Sequence, residues 1–216
     1  MIRNLSQHNS ILTQFIAEIR DVEIQKDSMR FRKNLERIGE IFAYEISKSF
    51  EFAEMDTATP LGIAVTRQLV TQPVIATILR AGLPMHLGLL NYFDRAQNAF
   101  ISAYRKHHKN NKFEIVLDYV ACPDLEGKTL ILCDPMLASG ASVELTYKAL
   151  LTRGTPAHMH IVTAIASTEG LAHIRSKIIG NNYTIWCGAI DEELTAQAYI
   201  VPGLGDAGDL AFGEKI

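Results

Sequence analysis

Between residues 74 and 190, short runs that are apolar at nearly every position alternate with segments of helical periodicity. That alternation restricts the fold more than any other feature. The runs fall at 74–79, 99–104, 115–120, 129–133, 160–166 and 183–190, and helical patterns occupy 83–93, 142–152 and 168–179. In the second of these helices Val143, Tyr147, Leu150 and Leu151 recur on one face. A strand with no polar alternation offers water no face, so both sides must be packed. Strands of this kind separated by helices build βαβ units and a mostly parallel sheet. The runs at 99–104 and 115–120 break the rhythm. Residues 105–114 between them are polar and lack an apolar face, which predicts a hairpin or arm. Ahead of the sheet, Leu12, Phe15, Ile16 and Ile19 mark one helix. Phe31, Leu35, Ile38, Phe42 and Ile46 mark a second from about Ser28, and no strand is expected before them. Without repeats, low-complexity tracts or linkers, residues 1–216 read as a single domain.

Composition narrows the class. At 48% hydrophobic and 21% charged residues, a chain of 216 can bury a core without disulfides or a structural metal. A formal net charge of -3 gives no general attraction to nucleic acid. The basic run 105–112 has no interleaved aromatics and reads as a solvated arm. Three scattered cysteines form neither a disulfide framework nor a CxxC site, and suit a reducing compartment. The first twenty residues lack the apolar segment of a secretory signal, and no run is apolar over the roughly eighteen residues of a membrane span. The expectation is a cytoplasmic protein without a membrane segment. No HExxH or paired-ligand spacing occurs among the histidines, and His158 and His160 suit packing or surface better than a metal.

In an open parallel sheet, ligands bind where strands end and loops lead into helices. The run 129–133 is followed by Asp134, Pro135, Met136, Leu137, Ala138, Ser139, Gly140, Ala141 and Ser142, a small-residue turn opening a helix. Its backbone N–H groups and the helix dipole form an anion cradle, and Asp134 suits a ribose hydroxyl or a metal. No Gly-Lys-Ser/Thr follows, so it is not a Walker loop, and Ser139 or Ser142 could equally serve as a plain helix cap. After the run 74–79 comes Arg80-Ala-Gly-Leu83, whose guanidinium could grip an anion or simply stand on the surface. A third loop, from Tyr199 to Asp209, contains a literal GxGxxG at Gly203, Gly205 and Gly208. Pro202 precedes it and eight residues remain after Gly208, so no βαβ unit can follow and a dinucleotide site is excluded. What remains is an exposed backbone carrying Asp206 and Asp209.

Taken together, Asp134-Pro-Met-Leu-Ala-Ser-Gly140 and the Tyr199 to Asp209 loop resemble the uracil phosphoribosyltransferases. The resemblance runs from about Ile19 to Gly213. It includes Phe31-Arg32, Tyr44-Glu45, Ile78 to Leu83, Tyr104-Arg105, Ala166 to Gly170, and Phe212-Gly213. It implies an α/β, type I phosphoribosyltransferase-like fold: a central mostly parallel sheet flanked by helices, with a hood from the N-terminal helices and the C-terminal loop. It implies that uracil and 5-phosphoribosyl 1-pyrophosphate are converted to UMP and pyrophosphate. On the same basis Asp134 to Ser142 would hold ribose and 5′-phosphate, Arg80 the pyrophosphate, and Arg105 the donor. Ile200 and Gly205 to Ala207 (Gly205, Asp206, Ala207) would read the base through the backbone, with Tyr199 a further substrate-binding candidate. Asp134, Arg80 and Asp206 are the catalytic candidates, with Asp206 on the Mg-pyrophosphate side. Mg²⁺ is expected through pyrophosphate and water rather than a protein ligand set. A homo-oligomer, dimer or tetramer, is expected; nucleic acid is not. A competing reading is a nucleotide- or RNA-binding regulatory protein on the same fold with weak or no catalysis, resting on the basic arm.

Three departures from the family pattern bear on that reading. Ser139-Gly-Ala-Ser142 stands where the family has Thr-Gly-Gly-Ser, so Ala141 would carry backbone strain of about 1 kcal/mol if its φ were positive. The arm 106–112 is basic where the family is acidic, and residues 51–72 also differ.

Overall fold

In the computed structural model, residues 1–107, 113–178, 180 and 182–214 are described. The elements follow in the order β1 (Ile2–Asn4), α1 (Ile11–Arg20), α2 (Ser28–Ser47), β2 (Phe52–Thr59), β3 (Gly62–Leu69), β4 (Val74–Leu79) and α3 (Leu83–Leu90). Then come β5 (Gln97–His107), β6 (Phe113–Ala121), β7 (Thr129–Cys133), β8 (Met136–Leu137), α4 (Ala141–Leu150) and β9 (His158–Ser167). The chain closes with α5 (Thr168–Lys177), β10 (Tyr183–Asp191), β11 (Glu193–Leu194), β12 (Ile200–Val201) and α6 (Ala207–Phe212).

The main sheet runs β1-β10-β9-β7-β4-β5-β6, with β8 paired to β9. Every pairing is parallel except β5 with β6, the expected hairpin, whose connecting residues 108–112 lie outside the described residues. Successive side chains along each strand point to opposite faces, and the core divides accordingly. Ile75, Ile131, Cys133, Val162 and Trp186 pack under α1, α2, α3 and α6. Val74, Ala76, Leu130, Leu132 and Ile161 pack against Val143 and Leu150 of α4 and Leu171 and Ile174 of α5. The stripe from Phe31 to Ile46 is fully buried, as its spacing predicts, and the Asp27 side chain caps α2 by accepting from Met29 and Arg30 N–H groups.

Two features depart from the sequence reading. A strand does precede the helices: β1, three residues at the sheet edge, pairs with β10 and is too short to carry a periodic signal. Residues 51–72 form an antiparallel hairpin, β2–β3, standing apart from the main sheet. It exposes Phe52, Met55, Leu61, Ile63 and Val65.

The chain leaves β4 toward β5 on one side and later places β7, β9 and β10 successively on the other. The order therefore reverses between β4 and β7, and the crevice beyond their carboxyl ends is where such a sheet binds ligands.

Candidate active site

Two of the three loops singled out from the sequence flank that crevice. β4 and β7 pair in parallel from Val74 with Leu130 to Thr77 with Cys133, so the Arg80 turn and Asp134 emerge side by side. Between them the packing is close: a Cβ on Gly82 would lie 3.0 Å from the Cys133 carbonyl oxygen. The Cys133 thiol beneath is no nucleophile, since burial pushes it up to about 12.

From Asp134 the chain stays tied to β9. Asp134 N–H donates to the Val162 carbonyl at 3.0 Å, the Ile165 N–H donates to the Pro135 carbonyl at 3.0 Å, and β8 pairs with Ile165 and Ala166. Pro135 and Leu137 are thereby buried, Leu137 as part of the core, while Asp134, Met136, Ala138 and Ser139 are half-buried around the crevice. Leu137 N–H donates to Thr163 Oγ1 at 3.1 Å, and Ser167 Oγ donates to the Ala138 carbonyl at 2.6 Å. The turn then needs a left-handed residue, and Gly140 supplies it with φ 80° immediately before α4. Ala141 is the first residue of α4 and does not carry a positive φ; among the described non-glycine residues only Ala198 does. The conditional strain at Ala141 is therefore absent, because the family's second glycine falls one position past the residue that needs the freedom.

Across the crevice stands the third loop. β11 and β12 pair as a small hairpin leading from Asp191 to Gly203, and Ile200 is buried in the core while Tyr199 and Gly205 are exposed. Arg20 of α1 makes a bidentate pair with Asp191, 2.8 Å to each oxygen, and also donates to the Gly203 carbonyl at 2.9 Å. Asp191 Oδ2 accepts the Gly203 N–H at 3.0 Å, so one buried carboxylate props the glycine turn. Asp206 caps α6 by accepting from the Gly208 and Asp209 N–H groups at 2.8 and 3.0 Å. It is Asp209 that meets Arg80, at 3.1 Å, while Arg80 also donates to the Gly213 carbonyl at 3.0 Å. The Arg80 Nε is buried and has no partner among the described residues. Arg32 of α2 donates to the Ala211 carbonyl at 2.6 Å, joining the N-terminal helices to α6.

Arg80 is thus set beside Asp134 by the β4–β7 pairing and joined to the 199–209 loop through Asp209. Arg105 lies within β5, backbone-paired with Ile115, and its side chain is outside the described residues. Sequence reasoning assigned no role to Arg20, Asp191, Thr163 or Ser167, which shape the two loops. Of these only Ser167 had a local signal, a serine directly before a helix, and it caps α5 by accepting the Gly170 N–H at 2.8 Å. Among the described residues no group of three or more His, Cys, Asp or Glu gathers as a metal ligand set.

The family model described as uracil phosphoribosyltransferase matches residues 5–214. A uracil phosphoribosyltransferase of Porphyromonas gingivalis is 53% identical over 213 residues, covering 99% of this chain and 98% of its own. One from Pyrococcus furiosus is 36% identical, covering 95% and 87%. Among solved structures, the AQ2163 protein of Aquifex aeolicus superposes with a TM-score of 0.87 at 30% identity, over 99% and 98% of the two chains. A hypoxanthine phosphoribosyltransferase of Staphylococcus aureus shares the fold, with a TM-score of 0.50 at 14% identity over 86% and 83%.

Proposed function

Because the chain belongs to the uracil phosphoribosyltransferase family, we propose that the crevice beyond β4 and β7 transfers a phosphoribosyl group to uracil, releasing pyrophosphate and leaving UMP. It is a pentosyltransferase. In the reaction the bond from ribose C1 to pyrophosphate oxygen breaks, a bond from C1 to uracil N1 forms, and the N1 proton is lost. The observation that carries this reading is the convergence of three loops at the reversal of strand order.

The roles follow from chemistry. The N–H groups of residues 138–142, at the start of α4, receive the 5′-phosphate, and Asp134 beside them accepts from ribose hydroxyls. Arg80 holds the departing pyrophosphate, with Asp209 and the Gly213 carbonyl fixing its guanidinium in place. Arg105, whose side chain lies outside the described residues, is assigned to the same donor by the family resemblance alone. Ile200 and Gly205 to Ala207 offer fixed backbone donors and acceptors to uracil, which presents an O4 acceptor and an N3–H donor; cytosine reverses that pattern. Positive charge develops at C1 and negative charge on the leaving group, so positioning and charge stabilisation do most of the catalytic work. Mg²⁺ bound through pyrophosphate oxygens and water would neutralise the leaving group. The carboxylates of Asp134, Asp206 and Asp209 could hold waters of that ion.

We read the protein as a homo-oligomer, dimer or tetramer, supported by the apolar surface of the β2–β3 hairpin. Among the described residues no helix is long and apolar enough to cross a membrane, and we assign the enzyme to the cytoplasm. Incorporation of labelled base tests the function: uracil should be accepted while cytosine, hypoxanthine and orotate are not. Equal incorporation of a purine would overturn the base assignment. RNA binding without any turnover would favour the regulatory alternative.

A further inference from the structure

The turn read above as the 5′-phosphate cradle is laid along the junction of β9 and α5. Three residues on one face of that junction, Ser167, Gly170 and His173, touch it in succession. Ser167 Oγ donates to the Ala138 carbonyl at 2.6 Å. A Cβ on Gly170 would collide with the carbonyl oxygen of Ala138, so α5 sits directly beneath the loop. His173 completes the row: its Cδ2 lies 3.0 Å from where a Cβ on Gly140 would stand, so the imidazole packs on the one left-handed residue of the turn.

The same imidazole reaches forward to α4. His173 Nε2 and Glu144 Oε2 are 2.6 Å apart, and Glu144 Oε1 accepts from Lys148 Nζ at 2.6 Å. Lys148 and His173 together hold the Glu144 carboxyl below the usual carboxylate range. Glu144 therefore carries a full negative charge in the first turn of the helix whose N-terminus would receive a phosphate. An acidic side chain there draws on the same dipole field as the incoming anion and repels it at short range. The arrangement engages both carboxylate oxygens on the α5 and Lys148 sides.

We propose that His173 is a positioning residue for the phosphoribosyl donor: it supports the Gly140 turn and holds the Glu144 carboxylate away from the 5′-phosphate. The inference rests on the reading of residues 138–142 as the phosphate cradle. Among the described residues His173 meets Glu144, the Gly140 turn and Ser176, so its removal should act on donor affinity and not on uracil.

Steady-state kinetics with donor and uracil varied separately test it. His173→Ala should raise donor KM about fivefold, the scale of coupling between neighbouring groups, with kcat and uracil KM within about twofold of the parent. Adding Glu144→Gln to His173→Ala should bring donor KM back toward the parent value, since the released charge is gone. His173→Gln, which can still donate to Glu144, should also recover it. An unchanged donor KM in His173→Ala, a rise that Glu144→Gln does not reverse, or a parallel loss of kcat, both KM values and melting temperature would each overturn the role. Ser139→Ala with Ser142→Ala serves as the reference. If that pair raises donor KM and His173→Ala does not, only the positioning role falls. If neither changes donor KM, the cradle assignment falls with it.

Discussion

Asp134 and Ala141 occupy the same turn but answer to different physics. Asp134 is half-buried beside β9, its N–H tied to the Val162 carbonyl and its Oδ1 3.4 Å from the Met136 N–H. Asp134→Asn keeps that geometry and removes the charge. Turnover should fall about a hundredfold, the loss typical of one charge-stabilising group, with the melting temperature held. Steady-state rates within twofold of the parent would reduce the residue to a turn former. Ala141 sits at the start of α4 with Gly140 already taking the left-handed backbone. Restoring the family's glycine with Ala141→Gly should therefore relieve nothing and cost up to about 1 kcal/mol of helix stability. Thermal denaturation with donor KM measured alongside checks this; a lower KM would mean that the Cβ itself crowds the phosphate.

The β2–β3 hairpin is the element whose composition its own packing does not explain. Ile63 and Val65 lie two apart on one face of β3, opposite Ala58 and Asp56, and both are exposed. An apolar edge of this kind ordinarily requires a cover. Ile63→Glu together with Val65→Glu should shift the protein to a smaller species in light scattering coupled to size exclusion. The isolated subunit should lose no more than about 0.5 kcal/mol, as for other surface changes. An unaltered mass would move the interface off the hairpin. Elsewhere the elements report their function by where they end: β4 and β7 deliver Arg80 and Asp134 side by side because the two strands are neighbours in the sheet, although Arg80 and Asp134 are 54 positions apart in the chain.

At the scale of the whole molecule, two buried histidines link stability to pH. His86 packs on the Phe100 ring at 5.2 Å, and burial, outweighing the opposing effect of Asn98, lowers it to about 4. His160 accepts the Trp186 indole N–H at 3.1 Å, and burial, then the neighbouring His158, lowers it to about 3. Both are neutral in the folded chain, whereas an unfolded histidine titrates near 6.5. Between those values the unfolded chain binds more protons, so stability falls as pH drops below about 6.5, by up to about 1.4 kcal/mol per pH unit for each ring. Glu18, held down to about 2 chiefly by its hydrogen bond from Arg30, adds a loss that begins only below about pH 4.5. Melting curves from about pH 7.5 to 4.5 should show the decline, and His160→Gln, which can still accept from the indole, should make it shallower. An identical slope in that variant would place the acid sensitivity elsewhere.

What the chain's own order of residues determined was local: the fully apolar runs required a sheet covered on both faces, and the Asp134 to Ser142 and Tyr199 to Asp209 stretches carried their backbone chemistry in their small residues. Periodicity could not reach β1, β8, β11 or β12, each two or three residues long. Nor could it pair Arg20 with Asp191 across 171 positions, Arg80 with Asp209 across 129, or His173 with Glu144 across 29. Side-chain spacing reports which face is buried and which turn is sterically allowed, since both depend on near neighbours. Which charge meets which carboxylate depends on the order in which distant strands enter the sheet. That order is set by the packing of the whole core, and only the tertiary structure decides it.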